Sequence, residues 1–433
     1  MAELNRKEYK TEFAGQTLSL TVSKIAEQAT AAVMGQYGDT NVLVTVTMGK
    51  ENKSSDYFPL VVDYEEKFYA AGKIIGSRFV RREGRPSEEA VLSGRLIDRS
   101  LRPLFDQRIR REVQVVITVL SYDEENDPDF IAMLTASTAL MISEIPWNGP
   151  AAGVRIAKTI DGQIIINPKN SQIKDLADKI SFEAFISGTR EKINMIELAG
   201  REAQESDVAD SFIEAMKPIN EILDFQAKVV KDLASPKVDL GLKSNDEVQA
   251  KVAAFLNGKI EDAVYVGNKM ETEEKLRELK KELFESLKAE DALELNEVDL
   301  FFDEEIGNVV RKNILEKDRR PDGRKLDEVR DLLAEVGLFK RLHGSALFIR
   351  GNTQALAVTT LAAPGAEQMI ESMELSGKRR FMLHYNFPPY SVGETGRMGA
   401  TGRREIGHGA LAEKALRPLI PSKEEFPYTI RLV

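Results

Sequence analysis

Tyr69-Ala-Ala-Gly72, Arg81-Arg82-Glu83 and Arg102-Pro-Leu-Phe105 return later in the chain, in the same order, as Tyr390-Ser-Val-Gly393, Arg403-Arg404-Glu405 and Arg417-Pro-Leu-Ile420. Upstream, Gly38-Asp-Thr-Asn-Val-Leu-Val-Thr-Val-Thr47 is echoed by Gly351-Asn-Thr-Gln-Ala-Leu-Ala-Val-Thr-Thr360, and the offset stays between 313 and 323 residues throughout. Order and near-constant spacing together imply two similar domains in tandem. They also predict that the two Arg pairs occupy equivalent positions. The first copy continues for more than a hundred residues after Phe105, whereas only thirteen follow Ile420, so the second copy is expected to be incomplete.

Working outward, the first copy reads as an α+β domain. Leu18, Leu20 and Val22 alternate with polar residues, and Val42–Thr47, Leu60–Val62 and Glu112–Leu120 are β-branched runs that predict strands. Asp129–Ile142, rich in Ala, Met and Leu, predicts a buried helix stopped by the turn Pro146–Pro150. Val154–Ile166 predicts a hairpin around Asp161-Gly162, Phe182–Leu198 a second pair of strands, and Asp207–Val230 a helix. Strands in series with interleaved long helices imply helices covering a sheet.

Between residues 236 and 320 the texture changes. Ser244-Asn-Asp-Glu247 reads as a capping box. It is followed by apolar stripes at Val248, Val252 and Phe255, then Leu276, Leu279, Leu283 and Leu287, then Phe301, Phe302, Ile306, Val309 and Val310. These predict an all-helical connector with its own small core. The expected organisation is therefore residues 1–235, 236–320 and 321–433.

Net charge is −10, with 42% hydrophobic and 30% charged residues. Positive charge is nevertheless concentrated: Lys67–Arg111 holds 12 Lys/Arg against 5 Asp/Glu, and Lys378–Arg417 holds 8 against 3. Basic, glycine-rich segments in the matching part of both copies suit phosphate or a polyanion. Without cysteine, disulfides and thiolate metal sites are excluded. A charged N-terminus and the lack of a spanning apolar run predict a cytoplasmic protein with no membrane partner.

Two segments carry candidate chemistry. Gly76–Arg85 places Phe79 before Arg81 and Arg82; an aromatic face can stack on an unpaired base, and guanidinium binds phosphate bidentately. The bland alternative is a solvated loop with Phe79 in the core. Gly393–Gly409 sets Arg403, Arg404 and His408 among glycines, able to hold an oxyanion cluster, without the spacing of a Walker loop. His343 and His384 read as structural. Glu394 stands alone, and Glu405 reads as a partner of its neighbouring arginines. Asp123, Glu124, Glu125, Asp127 and Asp129 read as a solvated loop leading to a helix N-cap rather than as metal ligands. No metal site is expected in this chain.

Ala70-Ala-Gly-Lys73, Arg81–Ser87, Arg95-Leu-Ile-Asp-Arg99 and Arg102–Phe105 resemble the first RNase PH-like domain of bacterial polynucleotide phosphorylases. Arg320-Pro-Asp-Gly-Arg324, His343–Leu347, Phe387–Gly396 and Arg403–Gly409 resemble the second. The resemblance covers essentially the whole chain, helical connector included. It implies a phosphate-dependent 3′→5′ exoribonuclease releasing nucleoside diphosphates from single-stranded RNA in mRNA turnover, assembled as a homotrimeric ring. It implies that Phe79, Arg81 and Arg82 grip RNA in the channel, with Val80 where many relatives carry a second aromatic or apolar residue and Arg78 as an insertion. It implies that Arg403, Arg404 and His408 contact substrate phosphates. Inorganic phosphate would be the co-substrate and Mg2+ the metal, its ligands and a serine-rich phosphate loop falling after Val433 together with KH and OB-fold domains. This chain alone is then expected to be inactive. A non-catalytic, RNA-guiding ring subunit of an exosome-like assembly is the alternative.

Overall fold

The structure, a computed structural model, describes residues 4–433 except 54–56, 77–78, 243–245, 268 and 288–291; the side chains at 269 and 292–296 also lie outside it. The capping box expected at Ser244 and the insertion at Arg78 fall outside the described residues. The chain divides into two compact units. One comprises the residues up to Leu240 with Phe339–Ser345 and Ala357–Val433, the other Gly241–Leu338 with Ala346–Leu356.

The first unit opens with the antiparallel strands β1 (Lys7–Phe13), β2 (Gln16–Val22), β3 (Ala31–Tyr37) and β4 (Thr40–Asn52). Next come β5 (Leu60–Glu65), the helix α1 (Glu88–Leu101) and β6 (Arg111–Ser121). β6 pairs antiparallel with β4 and parallel with β5, giving the order β1-β2-β3-β4-β6-β5. Alternation decides which face packs: Val42, Val44 and Val46 are fully buried. The helix α2 (Pro128–Ile142) covers β3 and β4. Apolar on every side, it is buried all round, with Asp127 as its N-cap accepting from the Asp129 amide at 2.9 Å. Gly35 of β3 has no Cβ because the Thr135 side chain of α2 fills that space.

β7 (Ala152–Thr159), β8 (Ile164–Ile166), α3 (Asn170–Asp175), β9 (Ile180–Gly188) and β10 (Ile193–Gly200) follow, the strands forming an antiparallel sheet in the order β10-β9-β7-β8. The expected hairpin is there, with Ile156 opposite Ile166 and Gly162 at φ 93° in its turn. The long helix α4 (Glu205–Leu233) buries Ile219, Ile222, Leu223 and Val229, and its Gln226 Nε2 donates to Ser137 Oγ of α2 at 2.7 Å.

In the second unit, α5 (Asp246–Leu256), α6 (Lys259–Val264), α7 (Lys269–Leu287) and α8 (Ala292–Lys317) share a core of Val252, Leu256, Ile260, Leu283, Phe301 and Phe302. All but Leu256 and Ile260 lie on the stripes read from the sequence. β11 (Leu332–Val336) pairs antiparallel with β12 (Gly344–Arg350), Leu332 opposite Arg350 and Val336 opposite Ala346.

The second copy repeats the pattern of the first. After β13 (Thr353–Ala362) come the hairpin β14 (Gln368–Glu371) and β15 (Ser376–Arg379), then β16 (Phe381–Leu383), α9 (Arg403–Leu416) and β17 (Thr429–Leu432). β17 is antiparallel to β13 and parallel to β16, as β6 is to β4 and β5. Both α1 and α9 have 14 residues, and each runs directly into a 3-10 turn with the sequence Arg-Pro-Leu.

The duplication holds, but the equivalence expected for the Arg pairs does not. The 3-10 turns ending at Gly72 and Gly393 correspond, both glycines being left-handed at φ 66° and 74°. From there the first copy takes 15 positions to its helix N-cap, Ser87, and the second only 9, to Gly402. Arg81 and Arg82 therefore lie in a longer loop before α1, whereas Arg403 and Arg404 are the first two residues of α9. Aligned by helix, Arg403 and Arg404 stand where the first copy has Glu88 and Glu89, and His408 where it has Ser93.

Candidate functional site

The start of α9 is fixed by Glu405. Its carboxylate accepts from the Gly402 amide at 2.7 Å and the Phe387 amide at 2.8 Å, which satisfies helix-end donors and pins both ends of the glycine-rich segment. Those two backbone donors, Gly402 first, hold the carboxyl below the usual range. Glu405 is thus a helix cap and not, as read from the sequence, an arginine partner.

Arg404 is exposed, its guanidinium 5.3 Å from the centre of the Phe387 ring. Phe387 stacks on Tyr385 with centroids 6.1 Å apart, and Tyr385 lies 5.3 Å from the His408 imidazole. Arg404 and His408, four positions apart on α9, are carried by one ladder of rings. Arg403 points elsewhere: Nη2 donates to the Val62 carbonyl and Nη1 reaches Asp63 Oδ1 at 3.4 Å, both on β5 of the first copy.

Packing of α1 against α9 brings in two arginines that had no role assigned from the sequence. The Arg95 guanidinium lies over Gly407, where any Cβ would collide with Nε, and Arg403 lies over Gly94, 3.1 Å from where its Cβ would be. Burial first, then the neighbouring Arg99 and more weakly Arg403 and Arg404, push Arg95 below the ordinary guanidinium value. Arg95 thus feels the charge of Arg99 on its own helix and of Arg403 and Arg404 on α9, with Asp98 as the opposing charge. The signal was present in Arg95-Leu-Ile-Asp-Arg99, two arginines one helical turn apart.

The first basic loop is anchored at its base. Glu83 Oε1 accepts from the Phe68 amide at 3.2 Å, and Arg81, left-handed at φ 51°, donates from Nη1 to the Gly76 carbonyl at 3.3 Å. Phe79 is 86% exposed, so it is not a core residue. Sequence offered this loop as an analogue of the α9 arginines; the structure places it on a separate element.

His384 and His343 are structural acceptors: His384 Nδ1 takes a bond from Arg431 Nε at 3.1 Å, His343 Nδ1 one from the Leu361 amide at 2.9 Å. The acidic run divides. Asp127 caps α2 and Asp123 accepts from the Glu125 and Asn126 amides, as a turn would. Asp129 departs from the expectation: it takes the Ser93 hydroxyl at 2.9 Å, and its Oδ1 is buried. Among the described residues no three carboxylate or imidazole groups converge to hold a metal. Near the arginines, Glu405 is committed to backbone amides and Asp63 to Arg403 and Gln114 Nε2, so the residues present do not fit Mg2+.

The family described as the 3′ exoribonuclease family, domain 1, matches residues 15–146 and 328–433, and the polyribonucleotide nucleotidyltransferase RNA-binding domain matches residues 247–325. The chain belongs to this exoribonuclease family, with the helical domain set between its two copies. It is a homologue of the polyribonucleotide nucleotidyltransferases. It is 44% identical to that of Brevibacillus brevis, over 100% of this chain and 60% of the relative. It is 44% identical to that of Heliobacterium modesticaldum, over 98% and 59%. It is 45% identical to that of Caldicellulosiruptor saccharolyticus, over 99% and 61%. The chain thus spans about three fifths of the length of these relatives. No helix among the described residues is long and apolar enough to cross a membrane.

Proposed function

We propose that this chain supplies the RNA-gripping and phosphate-contacting surfaces of a phosphorolytic 3′→5′ exoribonuclease acting on single-stranded RNA. The observation that carries the reading is the packing of α1 on α9, which lays Arg95 over Gly407 and Arg403 over Gly94 and leaves Arg404 exposed beside Phe387, guanidinium that an oxyanion would match. In the reaction a phosphate oxygen bonds to the terminal phosphorus, the bond from phosphorus to the O3′ of the preceding nucleotide breaks, and O3′ leaves as a hydroxyl. Nucleoside diphosphate is released. Charge accumulates on phosphoryl oxygens, and fixed cations stabilise it without covalent help. Arg404, with His408 one turn on, is assigned to the substrate phosphates. Phe79, Arg81 and Arg82 are assigned to the RNA strand upstream. A cytoplasmic homotrimer with domain boundaries near 235 and 320, using Mg2+ held outside the described site, completes the proposal.

The chain by itself is expected to bind RNA without cleaving it, because the carboxylates beside the arginines are already committed. Incubation with poly(A), phosphate and Mg2+ should yield no labelled nucleoside diphosphate, while labelled oligo(A) should bind and be displaced by rising phosphate. Unchanged oligo(A) affinity in both R404A and R95A would overturn the site assignment. Diphosphate release by the chain would overturn the expectation of inactivity.

A further inference from the structure

The tip of a hairpin is ordinarily its most exposed part, and in β14–β15 it is the most buried. The two strands form a sheet of their own, with Gln368 opposite Arg379 and Glu371 opposite Ser376. Ser372 closes the turn: its amide donates to the Leu375 carbonyl at 2.8 Å, and its Oγ accepts from the Leu375 amide at 3.0 Å. Ser372 is 1% exposed and Met373 0%, whereas Met369 on the strand and Leu375 beside the turn are open. A two-stranded hairpin is marginal in water without outside support, so whatever receives the tip also holds the hairpin.

The start of the first basic loop receives it. Lys73 Nζ donates to the Met373 carbonyl at 2.7 Å, a bond between residues 300 positions apart, from the first copy to the second. Lys73 is itself fixed, its amide donating to the Phe68 carbonyl at 2.9 Å directly after the left-handed Gly72. The other end of the hairpin reaches the far stem of the same loop. Arg379 lies 3.6 Å from Glu89, in the first turn of α1 and two residues past the Ser87 cap, and 3.6 Å from Glu413 of α9. Between the stems the loop adds bonds of its own, from the Phe68 amide to Glu83 at 3.2 Å and from the Ser87 hydroxyl to Glu66 at 2.6 Å. Phe79, Arg81 and Arg82 thus belong to a loop held at both stems by one element of the second copy.

We propose that the β14–β15 hairpin is a strut for this loop, with Lys73 and Arg379 as positioning residues for single-stranded RNA held by Phe79, Arg81 and Arg82. The inference rests on the reading that this loop grips RNA. Its physical basis is preorganisation: a loop that must be ordered as it binds loses affinity to that ordering, and one held at both stems does not. The strut makes the RNA affinity of a first-copy loop depend on a second-copy hairpin that does not itself touch the strand.

A double-mutant cycle on the whole chain, read by anisotropy of labelled oligo(A), tests this. F79A should weaken binding about fivefold or more in the wild-type chain, the loss of one stacked base. K73M, which removes the bond to the Met373 carbonyl, should weaken binding by about three- to tenfold, and adding F79A to it should cost less than about twofold more. M373A empties the seat of the tip and keeps the Lys73 charge, and it should shrink the F79A factor in the same way. K73R keeps a donor and should retain the wild-type factor. If M373A does not fold, K73M and K73R carry the cycle. An F79A factor that is the same in wild type and K73M overturns the strut. If the K73M loss then comes with a salt slope lower by about 0.7, Lys73 is a phosphate contact instead. If F79A has no effect in the wild-type chain, it is the RNA reading of the loop that fails, and amide hydrogen exchange decides the strut. The Phe68 amide, bonded to Glu83 at the base of the loop, should exchange about tenfold faster in K73M than in wild type. Equal exchange overturns the strut.

Discussion

Gly94 of α1 and Gly409 of α9 hold the same place in the two copies. A Cβ on Gly94 would lie 3.4 Å from the Val62 carbonyl and 3.5 Å from Tyr64 Cβ; one on Gly409 would lie 3.5 Å from both the Leu383 carbonyl and Tyr385 Cβ. Each glycine sits where a helix packs on the strand before it, Val62 and Tyr64 corresponding to Leu383 and Tyr385. The copies diverge in what surrounds that contact. In the second, Tyr385 supports His408; in the first, Tyr64 lies beside Asp129, and Ser93 stands in the histidine's position. One scaffold thus carries a cationic face in one copy and an acidic one in the other.

Substituting glycine by alanine should separate packing from site chemistry. At Gly409 the nearest atoms lie at ordinary contact distance, so G409A should stabilise the chain by up to about 1 kcal/mol through helix propensity. At Gly407 the new methyl must displace Arg95. G407A should therefore weaken oligo(A) binding and lower its salt slope by about 0.7, the loss of one phosphate contact, without lowering the thermal midpoint. Melting curves and anisotropy titrations at several salt concentrations give both readouts.

The two Arg-Pro-Leu turns predict unequal losses. Arg102 bonds Asp98 through Nε at 2.6 Å and Nη2 at 2.8 Å, and also reaches the Leu60 carbonyl at 3.0 Å and the Phe58 carbonyl at 3.3 Å. Its removal strands the Asp98 carboxylate and the carbonyls of Phe58 and Leu60, and R102A should cost about 1.5–3 kcal/mol. Among the described residues Arg417 pairs with Glu413 alone, on an exposed stem, so R417A should cost about 1 kcal/mol or less. Chemical denaturation ranks the two variants.

Asp106 gives the chain a pH signature on the acid side. Hydrogen bonds from Arg108, reinforced by the Arg108 amide, hold its carboxyl below the ordinary value. Its contribution is present above the unfolded carboxylate range and is lost as pH falls through the lowered folded value. D106N should flatten the acid limb of the stability curve and leave the alkaline limb unchanged, which melting curves across pH would register.

What the sequence made legible followed local periodicity. Val42, Val44 and Val46 announced β4, and the Ala-, Met- and Leu-rich run through α2 announced a buried helix. What it hid depended on partners far along the chain. Asp129 read as solvated because Ser93, the hydroxyl that receives it, sits on another helix. The repeated Arg-Arg-Glu invited a false pairing, since Gly393–Gly402 is six positions shorter than Gly72–Ser87 and the offset has already dropped from 321 to 315 when Arg403 is reached. Arg95 and Arg99 acquired meaning only when α1 met α9.

The first basic loop makes the last prediction. Phe79 and Val80 are exposed at 86% and 67%, and Arg81 is held left-handed beside Gly76, so the tip offers an aromatic face and guanidinium on a fixed base. If the loop grips single-stranded RNA, R81A/R82A should weaken binding and lower the slope of log affinity against log salt by about 0.7 per lost phosphate contact. F79A should instead cost about 1–3 kcal/mol of stacking with little change in slope. A loop serving only as solvated surface or subunit contact makes a different forecast: unchanged RNA affinity, or a loss that tracks dissociation. Salt-dependent anisotropy run alongside light scattering separates these, and an unaltered slope with unaltered assembly would remove the loop from the RNA path.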